Sequence, residues 1–536
     1  MRGLLIIYLT QHFLMSDESS SVLYGAYGAL VYVMTIIGGS LADRYLGARK
    51  AVTFGAILLT FGHFGMAFEG EGSRQLISHG DNQYEIILDG RGGDARQQIV
   101  TDLGTSYVSF TETSMDIAEP EAVGLVPSID RSEFTMSVET EEKYLNILYL
   151  SLALIIAGVG FLKANISTIV GSLYGFGDAR RDSGFTIFYM GINIGAFLAS
   201  LSCGYLGIVH GWKYGFGLAG AGMLLGLVIF LSCQSWLDGK AEPPSVEKLK
   251  EKVLFGINVE WLCYSVGLGI IAVSMLLVMN ADLVGGILGP VGILMFIWLV
   301  SHAFTQLQGD ERSRMLAAIY FVLAQIPFWA LFEQAGSSLN LFTARLVDRE
   351  IMGWSVPGPV FQSLNAGFIF LFAPLMAWLW VWLARRKLNP STPVKFALGV
   401  AMAGLGFLAL VAGMQGSGAV GLTPVIFIFL IYWIHTMGEL MVSPVGLSAV
   451  TKLAPAKIVG MTMGAWFLYS GLSNYLAGVI ARTTGAETIG GQMTNVAAAK
   501  AGYVDVYAQV GYIALGIALL MLLISPVINK MMRGAD

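Results

Sequence analysis

"GGSLADRYLGARK" occupies residues 38–50 and places Asp43, Arg44, Arg49 and Lys50 between two apolar runs, 21–42 and 49–68. Each run is about 20 residues long. A helix of that length spans a roughly 30 Å hydrocarbon core at 1.5 Å rise per residue. The stretch therefore reads as a charged turn between two membrane crossings. Its basic residues assign that turn to the cytoplasmic face, because cytoplasmic loops carry an excess of Lys and Arg.

The same pattern extends outward over the chain. Of 536 residues, 55% are hydrophobic and 12% are charged, and the mean hydropathy is +0.68. Soluble domains carry about 25% charge. Alternating barrel strands are absent, which leaves helices as the way to satisfy the backbone in lipid. The fold class is an all-α polytopic membrane protein. Fourteen helices are expected: 1–14, 21–42, 49–68, 145–171, 183–208, 213–236, 260–280, 283–305, 315–340, 362–384, 393–415, 422–443, 457–481 and 505–528. Basic residues mark alternate loops as cytoplasmic: Arg180 and Arg181; Lys248, Lys250 and Lys252; Arg385, Arg386, Lys387 and Lys395; Lys452 and Lys457. Lys530 and Arg533 assign the C-terminus to the same face. No cleavable signal peptide is evident. Cys203, Cys233 and Cys263 lie in or beside apolar segments and form no disulfide framework or metal set. A net charge of −5 carries no nucleic-acid signal.

Two segments depart from this regularity. Residues 69–143 carry sixteen acids against five bases, and "YEIILDG" and "SYVSF" have strand character. We expect a small, partly β insertion on the outer face, dispensable for function; disorder is the alternative. The first helix offers only about 14 apolar residues, roughly 21 Å, too short to cross. Either it crosses partially or the natural chain begins further upstream, and the second is the expectation.

Ionisable groups within the membrane are costly and mark functional sites. Arg2, Lys163, Glu333 and Glu439 each stand in apolar sequence: "MRGLL", "GVGFLKANIS", "WALFEQ" and "IHTMGELMVSP". The structural alternative is an interhelical ion pair or snorkelling near an end. His435, Glu439 and Ser443 recur at i, i+4, i+8 as one polar stripe, and Pro444 signals a broken helix there. Tyr189 and Asn193 share a face in "FYMGINIGAF", where the glycines suit close helix packing. Trp329 shares a face with Glu333, and Asn365 begins a helix in "FQSLNAGF". Two acids, two bases and several amides on different helices imply a water-accessible central cavity. Its ligand carries both charge signs and peptide-like hydrogen-bonding groups. "GVGFLK" lacks the strand and full pattern of a phosphate loop. Asn165-Ile-Ser167 lies in a helix, and His63 reads as a packing residue.

Residues 38–50 resemble the signature loop of the major facilitator superfamily. "FLKANISTIVGSLY", "FYMGINIGAFLAS", "FWALFEQAGSSLNLF", "GELMVSPVGLSAVTKLAP" and "GAWFLYSGLSNYLAG" narrow the resemblance to the proton-dependent oligopeptide transporter (POT) family. It covers nearly the whole chain outside 69–143. The resemblance implies two six-helix bundles around a central peptide site, with alternating access between them. It also implies two extra helices between the bundles. That divides the chain into 1–236, a linker 237–314 and 315–536. Lys163 would attract the carboxyl end of a peptide. Glu439, Asn193 and Asn365 would hold its amino end. Tyr32, Tyr189, Trp329, Trp466 and Ser470 would line side-chain pockets. Arg2 would face Glu333 in an outer gate whose charge is lost on protonation, and Lys163 would meet Glu439 when the inner side closes. Gly38, Gly39, Asp43, Arg44, Gly47, Arg49 and Lys50 carry the signature loop.

The implied activity is proton-coupled symport of di- and tripeptides in a bacterial-type inner membrane, with protons as coupling ion, no cofactor, the lipid bilayer as surroundings and a monomer as the working unit. One family motif departs: the E-x-x-E-R of helix one would precede "MRGLL" and does not occur here, as a downstream start assignment would explain. A same-fold carrier of nitrate, another anion or a drug-like molecule, and a non-transporting peptide sensor, are the other readings. No nucleophile–base set, metal cluster or cofactor motif favours an enzyme.

Overall fold

A computed structural model describes residues 2–90, 96–111, 113–175, 178, 180–254 and 256–534. Residues 91–95 and 112 of the expected insertion, 255 of the expected linker and the chain ends lie outside the described residues. The first helix, α1 (Arg2–Gln11), is 10 residues long and buried from Gly3 to Thr10. α2 (Asp17–Leu41) starts at Ser16, whose hydroxyl accepts the Ser19 N–H and caps the helix. The charged stretch after it is not the loop expected. Ala42–Leu46 form a π-helical turn that runs into α3 (Gly47–Met66). The chain turns at Gly47, with φ +73°, where a Cβ would also lie 2.6 Å from the Pro243 nitrogen. Only glycine meets both demands. The helical stretch Asp17–Met66 is 50 residues, enough for two crossings rather than one.

The remaining long helices are α5 (Glu142–Ser172), α6 (Arg181–Val209) and α7 (Trp212–Ser232), then α9 (Val259–Met279) and α10 (Ala281–Thr305). After these come α11 (Gly309–Phe332), α13 (Ser363–Arg385), α14 (Thr392–Gly416), α15 (Ile426–Leu453), α16 (Val459–Arg482) and α17 (Val496–Met531). Three short helices complete the set: α4 (Pro120–Val123), α8 (Val246–Lys250) and α12 (Ser338–Leu346). Eleven stretches among the described residues are long and apolar enough to cross a membrane, Asp17–Met66 being one.

Two further expectations need correction. The helix expected over 315–340 stops at Phe332, makes a 3-10 turn at Glu333–Gly336 and restarts as α12. The break expected at Pro444 is absent, because α15 continues through it. Neighbouring helices and side chains can satisfy the carbonyl that proline frees.

The helices form two apolar cores. Phe161, Phe216, Leu4 and Leu152 belong to one, with α9 packed on α5 through the Phe54, Phe161 and Tyr264 rings, centroids 4.9–5.0 Å apart. Phe328, Phe396, Phe407 and Tyr507 belong to the other, and α10 joins it where Tyr469 of α16 donates to Gly292 O at 2.7 Å. This is the arrangement of two bundles with two extra helices between them.

The insertion is ordered as a seven-stranded antiparallel sheet: β1 (Arg74–His79), β2 (Asn82–Asp89), β3 (Arg96–Thr101), β4 (Gly104–Phe110), β5 (Ser114–Ile117), β6 (Ser128–Asp130) and β7 (Phe134–Glu139), in spatial order β6-β5-β4-β3-β2-β1-β7. Alternate residues of β4, Ser106, Val108 and Phe110, are buried, the pattern of a sheet covered on one face. Ile77, Ile86, Ile99 and Met115 fill that face, and so does Ile489 from the hairpin 488–493 between α16 and α17. The Gln97 side chain donates to Ile489 O, and Gly490 N–H donates to Gln75 Oε1 at 3.3 Å. Just before β1, Ser73 N–H donates to His12 O at 2.8 Å, just past α1.

Candidate functional site

The sequence-predicted residues fall into three groups. In the first, Arg2 of α1 meets Glu333, its Nη2 lying 2.8 Å from Oε2. The end of α11 holds the carboxylate in place, and Glu333 is 8% exposed. The Arg2 guanidinium also stands 5.4 Å from the centre of the Tyr24 ring. In the second, Asn365 on the first turn of α13 donates its amide to Glu439 Oε2 at 2.8 Å and to Thr436 Oγ1 at 3.1 Å. In the third, Lys163 of α5 is exposed and lies over the Tyr32 ring of α2, its Nζ 3.7 Å from the centroid. Among the described residues no ion pair links Lys163 to Glu439.

The groups lie on neighbouring elements. Phe332, adjacent to Glu333, packs on His435, one turn before Glu439, with ring centroids 6.3 Å apart, and the rings that face Arg2 and Lys163, Tyr24 and Tyr32, both belong to α2. Tyr189 is exposed, and Asn193 donates to its carbonyl at 2.9 Å. Trp329 packs edge-on against Phe328 and Phe332. Trp466 and Ser470 are buried between α11 and α16: Gln325 donates to Trp466 O at 3.0 Å, and Ser470 Oγ donates to Gln325 Oε1 at 3.2 Å. The glycines of "GINIG" do not pack as expected, since Gly191 and Gly195 face open space. The polar stripe on α15 also divides. His435 leaves it for α14, where its Nε2 lies 3.0 Å from Ala403 O and its ring packs on Phe407.

The side carrying Arg2 and Glu333 is sealed. A Cβ on Gly25 of α2 would lie 2.8 Å from Gly478 Cα of α16, so the two backbones touch there. Asp17 at the start of α2 accepts two bonds from Arg345 of α12, at 2.6 and 3.0 Å, and a third from Ala486 N–H at 3.1 Å. Both side chains are buried. Asp17, Arg345, Thr436, Gln325 and Asn474 were not singled out from the sequence. "SDESSS" reads as a polar loop, and Asn474 is uncharged among glycine and serine.

At the opposite end, the signature stretch ties α3 to the connection between the bundles. Arg49 makes a forked pair with Glu242, at 2.6 and 2.8 Å, and also donates to Gln234 at 2.9 Å. These bonds hold the Glu242 carboxyl below its ordinary range. Lys50 pairs with Glu260 at the start of α9. Gly38 meets the backbone of Gly160, and Gly39 faces Ala164, while Asp43 and Arg44 are exposed.

A sequence profile of the POT family matches residues 49–496. The uncharacterized transporter YclF of Bacillus subtilis is 32% identical over 555 aligned residues, covering 100% of this chain and 91% of that protein. The peptide transporter YePEPT of Yersinia enterocolitica is 31% identical, over 86% of this chain and 79% of its own. Dipeptide and tripeptide permease A of Salmonella typhimurium is 28% identical over 100% and 90%. A crystal structure of a peptide transporter POT with bound sulfate superposes with a TM-score of 0.74 at 31% identity, covering 99% of this chain and 92% of that one. The helices, the two cores and the match along their length agree: this chain is a multi-pass membrane protein of the POT family, with a major-facilitator fold.

Proposed function

We propose that this protein imports di- and tripeptides together with protons by alternating access, as a monomer in the inner membrane with its C-terminus cytoplasmic. The observation that carries the reading is geometric: Arg2 of α1 holds the Glu333 carboxylate at one bundle-to-bundle contact, while Asn365 of α13 holds Glu439 of α15. The relatives named as peptide transporters and as dipeptide and tripeptide permeases support the substrate class.

In this reading Lys163 takes the peptide carboxylate, and Glu439, Asn193 and Asn365 take its ammonium. Tyr32, Tyr189, Trp329, Trp466 and Ser470 shape the side-chain space. Protonation turns the Glu333 carboxylate into a neutral acid, Arg2 loses its ionic partner, and the seam between α2 and α16 opens outward. Peptide and proton then enter together. When the outer side closes, Arg2 recaptures the carboxylate and the proton leaves inward. The proton is the coupling ion, and no cofactor takes part. The seven residues of the signature stretch act where α3 meets the connection between bundles.

The test is dipeptide uptake by the purified chain in liposomes, with and without an inward acid gradient. Accumulation driven by the gradient is expected. Inserted protein that neither accumulates nor exchanges dipeptides overturns the reading.

A further inference from the structure

Asn474 of α16 stands beside the Arg2–Glu333 pair and has no part in the account above. We infer that it sets the proton affinity of that pair by competing with Glu333 for the Arg2 guanidinium. The consequence for transport rests on the proton-coupled reading just given.

Arg2 presents one nitrogen, Nη2, to two acceptors: Glu333 Oε2 at 2.8 Å and Asn474 Oδ1 at 3.0 Å. Its Nε is buried without a partner. A guanidinium binds a carboxylate best through two parallel bonds, and here the carboxylate receives one, from a nitrogen it shares. The orientation of Asn474 is fixed. Its Nδ2 donates to Ser470 O at 3.0 Å, which leaves Oδ1 as the face toward Arg2. The side chain is 3% exposed. Gly28 of α2 makes the room, since a Cβ there would lie 2.6 Å from Asn474 Oδ1.

Among the described residues, the titratable groups around the pair include Tyr24, Tyr27 and Tyr32 of α2, Lys163 of α5 over the Tyr32 ring, and Glu439 of α15. Against that background Asn474 acts in one direction. When Glu333 is ionised, Asn474 takes part of what Arg2 offers and weakens the hold on the charge. When Glu333 is protonated, Asn474 remains as a neutral acceptor, so the guanidinium is not left unpaired. Both effects favour the protonated acid. Asn474 also keeps Arg2 attached to α16 until the seam between α2 and α16 parts.

The test is an infrared titration of the Glu333 carboxyl in the purified protein, its band assigned by loss in Glu333→Gln. Asn474→Leu keeps the size and removes the oxygen, so the midpoint should fall by about one pH unit. Asn474→Asp places a second carboxylate on the same guanidinium, so the midpoint should rise. A packing defect alone does not move the two variants in opposite directions. Unchanged midpoints, or shifts of the same sign, overturn the inference. Gly28→Ala reaches the same oxygen from α2, and should lower the midpoint if Asn474→Leu does not fold; an unchanged midpoint there counts against it. Dipeptide counterflow by the unaltered chain is read in parallel. Its absence defeats the transport reading and leaves the titration to judge Asn474.

Discussion

Glu333 sits at a place where a helix ends. α11 stops at Phe332, and the 3-10 turn that follows brings the carboxylate to Arg2 rather than to lipid. Glu333→Gln keeps the shape and removes the titration. Proton-driven accumulation should vanish while dipeptide counterflow persists, and concentrative uptake by that variant would sink the coupling role. Asp17 and Arg345 form a second pair of a different kind, doubly bonded and buried. Arg345→Met leaves a buried carboxylate without its cation, which should cost about 3–5 kcal/mol in a thermal or denaturant measurement. Adding Asp17→Asn should return much of that loss. A double variant as unstable as the single would show that the charge is not the cause. At this scale the sequence was legible where a charge interrupts an apolar run, as at Lys163, Glu333 and Glu439. It was not where a polar residue sat in polar company, as Asp17 does, or carried no charge, as with Asn474.

Between elements, backbone contact decides more than side-chain chemistry. α2 and α16 meet at Gly25 and Gly478, and a leucine at Gly478 would hold them apart. Gly478→Leu should abolish dipeptide uptake and raise the reactivity of a single cysteine introduced on the outer part of α2. Normal uptake would show that the seam tolerates separation. At the other end, Arg49 depresses the pKa of Glu242, and the sign follows from linkage. The folded state binds the carboxylate form, so the pair stabilises at neutral pH and its contribution is lost as pH falls through the lowered value. The Tm advantage of the native chain over Glu242→Gln should therefore be present at pH 7 and fade as pH drops below the ordinary glutamate range. An advantage independent of pH would assign it to packing. Helix existence was readable from apolar windows of membrane length. Helix interruption was not: Pro444 passes unbroken, while the interruption falls at Glu333–Gly336. A proline changes a single carbonyl, and its effect depends on neighbours that local pattern does not reveal.

Across the whole molecule, the apolar windows pointed to membrane-spanning helices, the family resemblance to two bundles, and "YEIILDG" and "SYVSF" to β structure, but the attachment of the sheet was hidden. Gln97 and Ile489 are 392 residues apart in sequence and bonded in space. Periodicity within a segment carries no record of such a partner. The contact changes what the insertion is expected to do. Removing 72–140 uncovers Ile489, now 1% exposed, along with the polar groups that Gln75 and Gln97 satisfy. Burial of one isoleucine side chain is worth about 2 kcal/mol. Hydrogen exchange across 487–494 should accelerate in the shortened chain, and unchanged exchange would return the sheet to the status of an appendage.

The sheet grows from one half of the protein and holds a hairpin of the other in its own core. Any rocking that carries α16 and α17 away from α1 must either peel that hairpin loose or stretch the short links on either side of the sheet. The insertion is in effect a strain gauge mounted across the seam between the two halves. Dyes placed on an outer strand and on Glu487 would record each half-cycle as a change in distance.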